Sequence, residues 1–102
     1  MYAYSMMAGI AYLVDGQCER AVEFLLRSIA ENRTYTSARR VYVIALVLCG
    51  RVTEAQQAAE EALRFEPGLT VAGFLRRYPG SSSEHAPLFC DALAQAGIPL
   101  RE

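Results

Sequence analysis

The feature that most constrains this chain is an internal similarity with a period of about 34 residues, a spacing typical of stacked supersecondary units. When the sequence is shifted by this period, Gly16 falls on Gly50 and Ala21 falls on Ala55. The stretch before each glycine also coincides: Ile10, Ala11, Tyr12, Leu13 and Val14 fall on Ile44, Ala45, Leu46, Val47 and Leu48. The chain is therefore expected to fold as two similar units in succession.

Each unit has the pattern of two helices joined by a glycine turn. The first unit predicts helices at 1–14 and 18–31, and the second predicts them at 36–49 and 53–65. Apolar residues of the helix at 18–31 lie three and four positions apart, on one stripe: Val22, Leu25, Leu26 and Ile29. Gly16 and Gly50 can adopt the left-handed backbone that ends a helix. Together these signals predict an all-α fold.

The repeat register ends at Pro67. Val71, Phe74, Leu75 and Tyr78 then predict a short helix with Thr70 as its N-cap. A final helix is predicted at 84–95, stopped by Gly97. Because the end of a repeat stack needs a cap over its apolar face, 70–102 is predicted to form C-terminal capping helices.

A helix–turn–helix unit of about 34 residues resembles the tetratricopeptide repeat, or TPR. The TPR motif positions fall in the first unit on Ser5, Ala8, Gly9, Tyr12, Ala21, Leu25, Ser28 and Arg33. In the second unit they fall on Arg39, Tyr42, Val43, Leu46, Ala55, Ala59, Ala62 and Pro67. Ser5 and Arg39 depart from the motif, which has a large residue there, and Val43 replaces a small one. The resemblance implies two repeats, at about 2–35 and 36–69, followed by the cap. The alternative is an unrelated helical bundle.

In TPR arrays the first helix of each unit lines a concave face that binds protein or peptide. The resemblance places these residues on that face, together with Ala3: Met6, Ile10, Leu13, Ser37, Arg40, Ile44 and Val47. Met6 and Ile10 occupy the Lys and Asn positions of the carboxylate clamp found in chaperone-binding TPRs, so an apolar groove is expected, with Arg40 as the one group for an acidic partner. The alternative, given equal weight, is that the same residues bind no partner and pack against a preceding repeat.

The second half of the chain carries a narrower resemblance. Gly50-Arg51, Glu54-Ala55 and the segments 67–71, 75–79 and 93–99 are similar to the TPR tails of certain bacterial proteins. Those proteins begin with a class III adenylate/guanylate cyclase domain or a winged-helix regulator domain. The resemblance implies a cytoplasmic interaction module at the C-terminal end of a larger bacterial signalling protein. A structural self-association unit is the alternative. Met1 lies inside the first predicted helix, so we expect the chain to belong to a longer protein.

No residue pattern predicts catalysis or a cofactor. His85 is the one histidine, and Cys90 lies five positions further on, which points the two side chains to different helix faces. Cys18, Cys49 and Cys90 form no CxxC pair, so no metal site is expected. Their odd number favours a reducing compartment over a disulfide framework. The cysteines are therefore expected to be small, buried, apolar residues.

The net charge and the hydropathy of the sequence limit the kinds of partner that the chain can bind. A net charge of −1 gives no reason to expect nucleic acid. The longest apolar run, 41–48, is too short for membrane insertion. The first helix is apolar nearly all round, so a homodimer through it is expected, with Tyr2, Met6, Ile10 and Leu13 in the contact.

Overall fold

The computed structural model describes residues 2–77 and 86–100, and the side chains of residues 5–74 and 87–100. Within these residues the chain forms helices and no strand, as the sequence predicted. The helices are α1 (Tyr2–Val14), α2 (Cys18–Glu31), α3 (Thr36–Leu48), α4 (Val52–Phe65), α5 (Val71–Arg77) and α6 (Ala86–Gln95). The predicted bounds of the first four differ from these by one residue at most. Tyr78, His85 and the predicted loop between α5 and α6 lie outside the described residues.

The local structure repeats at the spacing seen in the sequence. Both ends of α3 lie one repeat period after those of α1, and both ends of α4 lie one period after those of α2. The turns match as well. Gly16 and Gly50 have φ of 81° and 79°, and each donates its N–H to the carbonyl three residues earlier. The next residue, Gln17 or Arg51, donates to the carbonyl five residues earlier, at 2.9 Å in both turns. This is the Schellman pattern, and it ends α1 and α3 in the same way.

Helix α3 is the centre of the molecule. It packs against α1, α2, α4 and α6, and α1 packs chiefly against α2. With these four neighbours, most of α3 is buried and none of its residues is fully exposed. The consequence is visible in the run from Val43 to Leu46, in which every residue is fully buried.

The C-terminal part closes on itself and on α3. Thr70 is the N-cap of α5, as predicted, because its hydroxyl accepts a 3.0 Å hydrogen bond from the Gly73 N–H. The first N–H groups of α5, those of Val71 and Ala72, donate to the carbonyls of Pro99 and Leu100. Helix α6 packs against both α5 and α3. The described C-terminal residues therefore bury one side of α3. Phe89 and Leu93 of α6 are part of the hydrophobic core.

Candidate interaction surface

The residues predicted to line a concave face divide into two groups. Leu13, Arg40, Ile44 and Val47 are buried within the chain itself. Met6, Ile10 and Ser37 are partly exposed. Only this second group can contact another molecule without rearrangement, because α6 occupies part of the surroundings of α3. Binding of a partner through the full predicted set stays a prediction.

Arg40 contacts an acidic group, but that group belongs to its own chain. Its Nη1 lies 2.5 Å from Oε1 of Glu66, the residue that follows α4, and its Nη2 donates to the Ser37 hydroxyl at 2.8 Å. Both members of the ion pair are largely buried, at 9% and 18% side-chain exposure. A buried pair of this kind fixes the start of α3 against the end of α4, and leaves no free cation at this position for a partner's carboxylate.

The exposed apolar residues of α1 lie on a different side from the predicted one. Met7 is 55% exposed and Val14 is 43% exposed, and these two residues are seven positions apart on the same helix. Ala8, Ala11, Tyr12, Val14 and Asp15 line an open surface depression beside them. We call Met7, Ala11 and Val14, with this depression, the α1 surface.

An aromatic stack borders the α1 surface. The rings of Tyr12 and Phe24 are stacked, with centroids 5.3 Å apart, so they join α1 to α2. The Arg20 guanidinium lies 5.8 Å from the Tyr12 ring centroid, and that of Arg27 lies 5.0 Å from the Phe24 centroid. Each arginine therefore has an aromatic face as a neighbour. The α1 surface thus has an apolar centre, with Arg20 beside its Tyr12 ring and the acidic Asp15 in the lining of its depression.

The dimer contacts expected from the sequence need revision. Leu13 is buried, and Met6 and Ile10 are partly buried and pack against the core. The side chain of Tyr2 lies outside the described part. The sequence could not separate the inner from the outer side of α1, because the helix is apolar nearly all round and has no polar stripe to mark the exposed face.

The expectation for the cysteines was wrong for two of the three. Cys18 and Cys49 form a disulfide, with their Cα atoms 5.5 Å apart, and Cys90 is free and half-buried. Cys18 is the first residue of α2, and Cys49 is the residue at the C-terminal end of α3. The sequence contained a usable signal. Both cysteines flank a turn glycine of the repeat, and equivalent turns of adjacent units lie side by side in a stack.

Two further charged residues meet at this junction. Nη1 of Arg51 lies 3.3 Å from Oε1 of Glu19 across the two turns. The same guanidinium makes two hydrogen bonds with Glu54, and these lower the pKa of the Glu54 carboxyl. The Glu19 carboxylate lies within 4.8 Å of both cysteine sulfurs. Two thiolates and a carboxylate are possible zinc ligands, but sulfurs joined in a disulfide cannot ligate a metal.

The remaining nucleophile shows no sign of activation. Burial, and then the carboxylate of Asp91, raise the pKa of the Cys90 thiol, which disfavours the reactive thiolate. His85, the only imidazole of the chain, lies outside the described residues.

Comparison with known protein families, with characterised proteins and with solved structures finds no match for this chain. In the part of the chain that the structure describes, no helix has the length and apolarity needed to cross a membrane.

Proposed function

We propose that this chain is a protein-binding module of the helical-repeat type, and that the α1 surface is where it binds. The observation that carries the proposal is the exposure of Met7 and Val14 on α1, beside an open depression lined largely by apolar side chains. An exposed apolar group of this kind, with charged residues at its rim, is typical of protein–protein contacts.

The position of α1 in the fold supports this role. It packs chiefly against α2, with a smaller contact to α3, whereas α3 packs against four helices. An apolar outer side on a helix of a repeat stack is typically covered by a further surface. Arg20 beside Tyr12 can pair with an acidic residue of a partner, and Asp15 in the lining can pair with a basic one.

The resemblance to bacterial TPR tails gives the proposal its biological setting. In that setting the chain is the TPR-type interaction part of a larger cytoplasmic signalling or regulatory protein, without catalytic work of its own. The second candidate function is self-association. The same observation favours it, because the α1 surface of a second copy is itself apolar and would cover Met7 and Val14 across a two-fold axis.

Site-specific photo-cross-linking distinguishes these functions from each other and from no binding at all. A photo-reactive phenylalanine analogue is placed at Met7, and in a matched control at Leu88, which is 48% exposed on α6. Both variants are expressed within the full-length protein in the cells that make it. Mass spectrometry then identifies the cross-linked peptides.

The proposal predicts cross-links from position 7 to one reproducible protein surface, and few from position 88. Cross-links from position 7 to a second copy of the chain would favour self-association. Equal, scattered cross-linking from both positions would contradict a binding role for the α1 surface.

A further inference from the structure

The Cys18–Cys49 disulfide is a covalent cross-link between two helical hairpins that are also joined by the backbone between α2 and α3 and by non-covalent contacts. Cys18 belongs to the α1–α2 hairpin and Cys49 to the α3–α4 hairpin, 31 residues later. Their Cα separation of 5.5 Å lies at the usual value for a disulfide, so the bond forms without moving the backbone. Both residues are partly exposed, which allows a small thiol or disulfide to reach the sulfurs.

The two cysteines have different electrostatic surroundings. Cys18 lies at the start of a 14-residue helix, where the partial positive charge of the helix favours an anion. The Gln17 side chain makes no capping hydrogen bond there. Cys49 lies at the end of α3, where the partial charge is negative and disfavours an anion. Glu19 opposes a thiolate at both cysteines, because its carboxylate lies within 4.8 Å of both sulfurs and Arg51, its partner, is shared with Glu54. The difference between the two cysteines therefore comes from the helix ends.

We propose that Cys18 and Cys49 are a thiol–disulfide exchange site whose substrates are low-molecular-weight thiols and disulfides, with Cys18 as the attacking thiolate. In the oxidising direction the Cys18 thiolate attacks one sulfur of a small disulfide, forms a mixed disulfide and releases one small thiolate. Cys49 then loses its proton, attacks Cys18 Sγ and releases the second small thiolate. Two electrons pass from the cysteine pair to the small disulfide, which becomes two thiols.

The oxidised and reduced chains differ in how the hairpins are connected. In the oxidised chain a covalent bond fixes the α1–α2 hairpin to α3. In the reduced chain the exposed Glu19–Arg51 pair and the packing of α2 on α3 hold the same junction. Exchange at Cys18 therefore regulates how firmly α1 and its neighbour α2 are attached to the rest of the fold.

The test uses the full chain equilibrated in reduced and oxidised glutathione at graded ratios, with EDTA present. Samples are acid-quenched, alkylated with N-ethylmaleimide and mapped by mass spectrometry. The expected result is a reversible Cys18–Cys49 disulfide with Cys90 alkylated throughout. The glutathione adduct should form several-fold faster on Cys18 in Cys49→Ser than on Cys49 in Cys18→Ser. Cys90→Ser is the matched control and should leave the exchange unchanged.

A second measurement avoids the substituted variants, in case one of them does not fold. In the reduced wild-type chain at neutral pH, limiting N-ethylmaleimide should label Cys18 before Cys49 and Cys90. Failure of glutathione disulfide to join Cys18 to Cys49 would overturn the proposal, as would labelling of Cys49 before Cys18. A further test omits EDTA and adds Zn²⁺. Retention of one Zn²⁺ per reduced chain, with oxidation only after EDTA treatment, would assign the pair to metal binding instead.

Discussion

The guanidinium of Arg39 lies 4.0 Å from the centroid of the Phe65 ring, and so joins the first turn of α3 to the last residue of α4. The equivalent positions of the first unit, one repeat period earlier, are Ser5 and Glu31, and they are also in contact through a 3.0 Å hydrogen bond. In both units the start of the first helix is therefore linked to the end of the second. The chemistry of the link differs, but its place in the unit is the same.

We predict that the Arg39–Phe65 contact is measurable by a double-mutant cycle with Arg39→Met and Phe65→Ala. Arg39 is buried, and burial lowers the pKa of its guanidinium, although the group stays charged at neutral pH. Chemical unfolding should give a coupling free energy of about 0.5–2 kcal/mol, because the cation is largely desolvated over the ring. Additive effects of the two substitutions would mean that the contact contributes nothing.

A second prediction concerns the closest approach of α1 and α2. A Cβ on Gly9 would lie 2.8 Å from Cγ of Leu25, so Gly9→Val should over-pack the hairpin and lower stability by about 1–3 kcal/mol. The second unit has the opposite combination at the same positions, Val43 with Ala59. Adding Leu25→Ala to Gly9→Val copies that combination and should recover part of the loss. Thermal unfolding of wild type and these two variants checks this, and no recovery in the double variant would contradict it.

The packing of α3 on α4 gives a third prediction. Ala55 is fully buried near the start of α4, as Ala21 is near the start of α2. Ala55→Leu should therefore force the helices apart and cost about 1–3 kcal/mol in denaturant unfolding. Ala58→Leu is the matched control, since Ala58 is only partly buried on the same helix. Equal stability of Ala55→Leu and wild type would show that the helix contact is not where the structure places it.

A fourth prediction follows from the disulfide between the hairpins. A bond that closes 31 residues should stabilise the folded chain by roughly 3–4 kcal/mol. Reduction, or Cys49→Ser, should lower the midpoint of thermal unfolding by about 10 °C or more. Cys90→Ser should have a much smaller effect, because Cys90 is free. An identical midpoint with and without reductant would contradict the prediction.

These features also show how far the sequence alone could go. Helix bounds followed from periodicity and turn glycines, because a Schellman turn needs a positive φ that Gly16, Gly50 and Gly97 provide. Contacts between helices were harder to predict, since they depend on which helix sides meet. Arg39 departs from the repeat motif in the sequence, but its guanidinium contacts the Phe65 ring and so links α3 to α4. Val43 is larger than the motif residue at its position. The space for it comes from Ala59, which is smaller than Leu25, the equivalent residue of the first unit.

The same limit applies to the candidate site. The sequence identified α1 as the helix with excess apolar surface, and the structure exposes Met7 and Val14 there. It could not show that α6 packs on α3, because this depends on how the C-terminal residues fold back. Nor could it show that Arg40 pairs with Glu66, because this depends on how the end of α4 lies beside α3. The number and sequence spacing of the cysteines do not predict the Cys18–Cys49 pair, whereas their place beside equivalent turns does.

The central claim is that the α1 surface is covered by another protein surface, and in the isolated chain a second copy is the one surface available. Sedimentation equilibrium at increasing concentration measures this directly. The account predicts an average mass that rises above 11.2 kDa for wild type. Met7→Lys with Val14→Lys should stay near that monomer mass, while Leu88→Lys should behave like wild type. A wild-type mass that stays at 11.2 kDa at the highest concentration would contradict covering of the α1 surface by a second copy. Equal association of wild type and the Met7/Val14 variant would contradict a role for the α1 surface in that association.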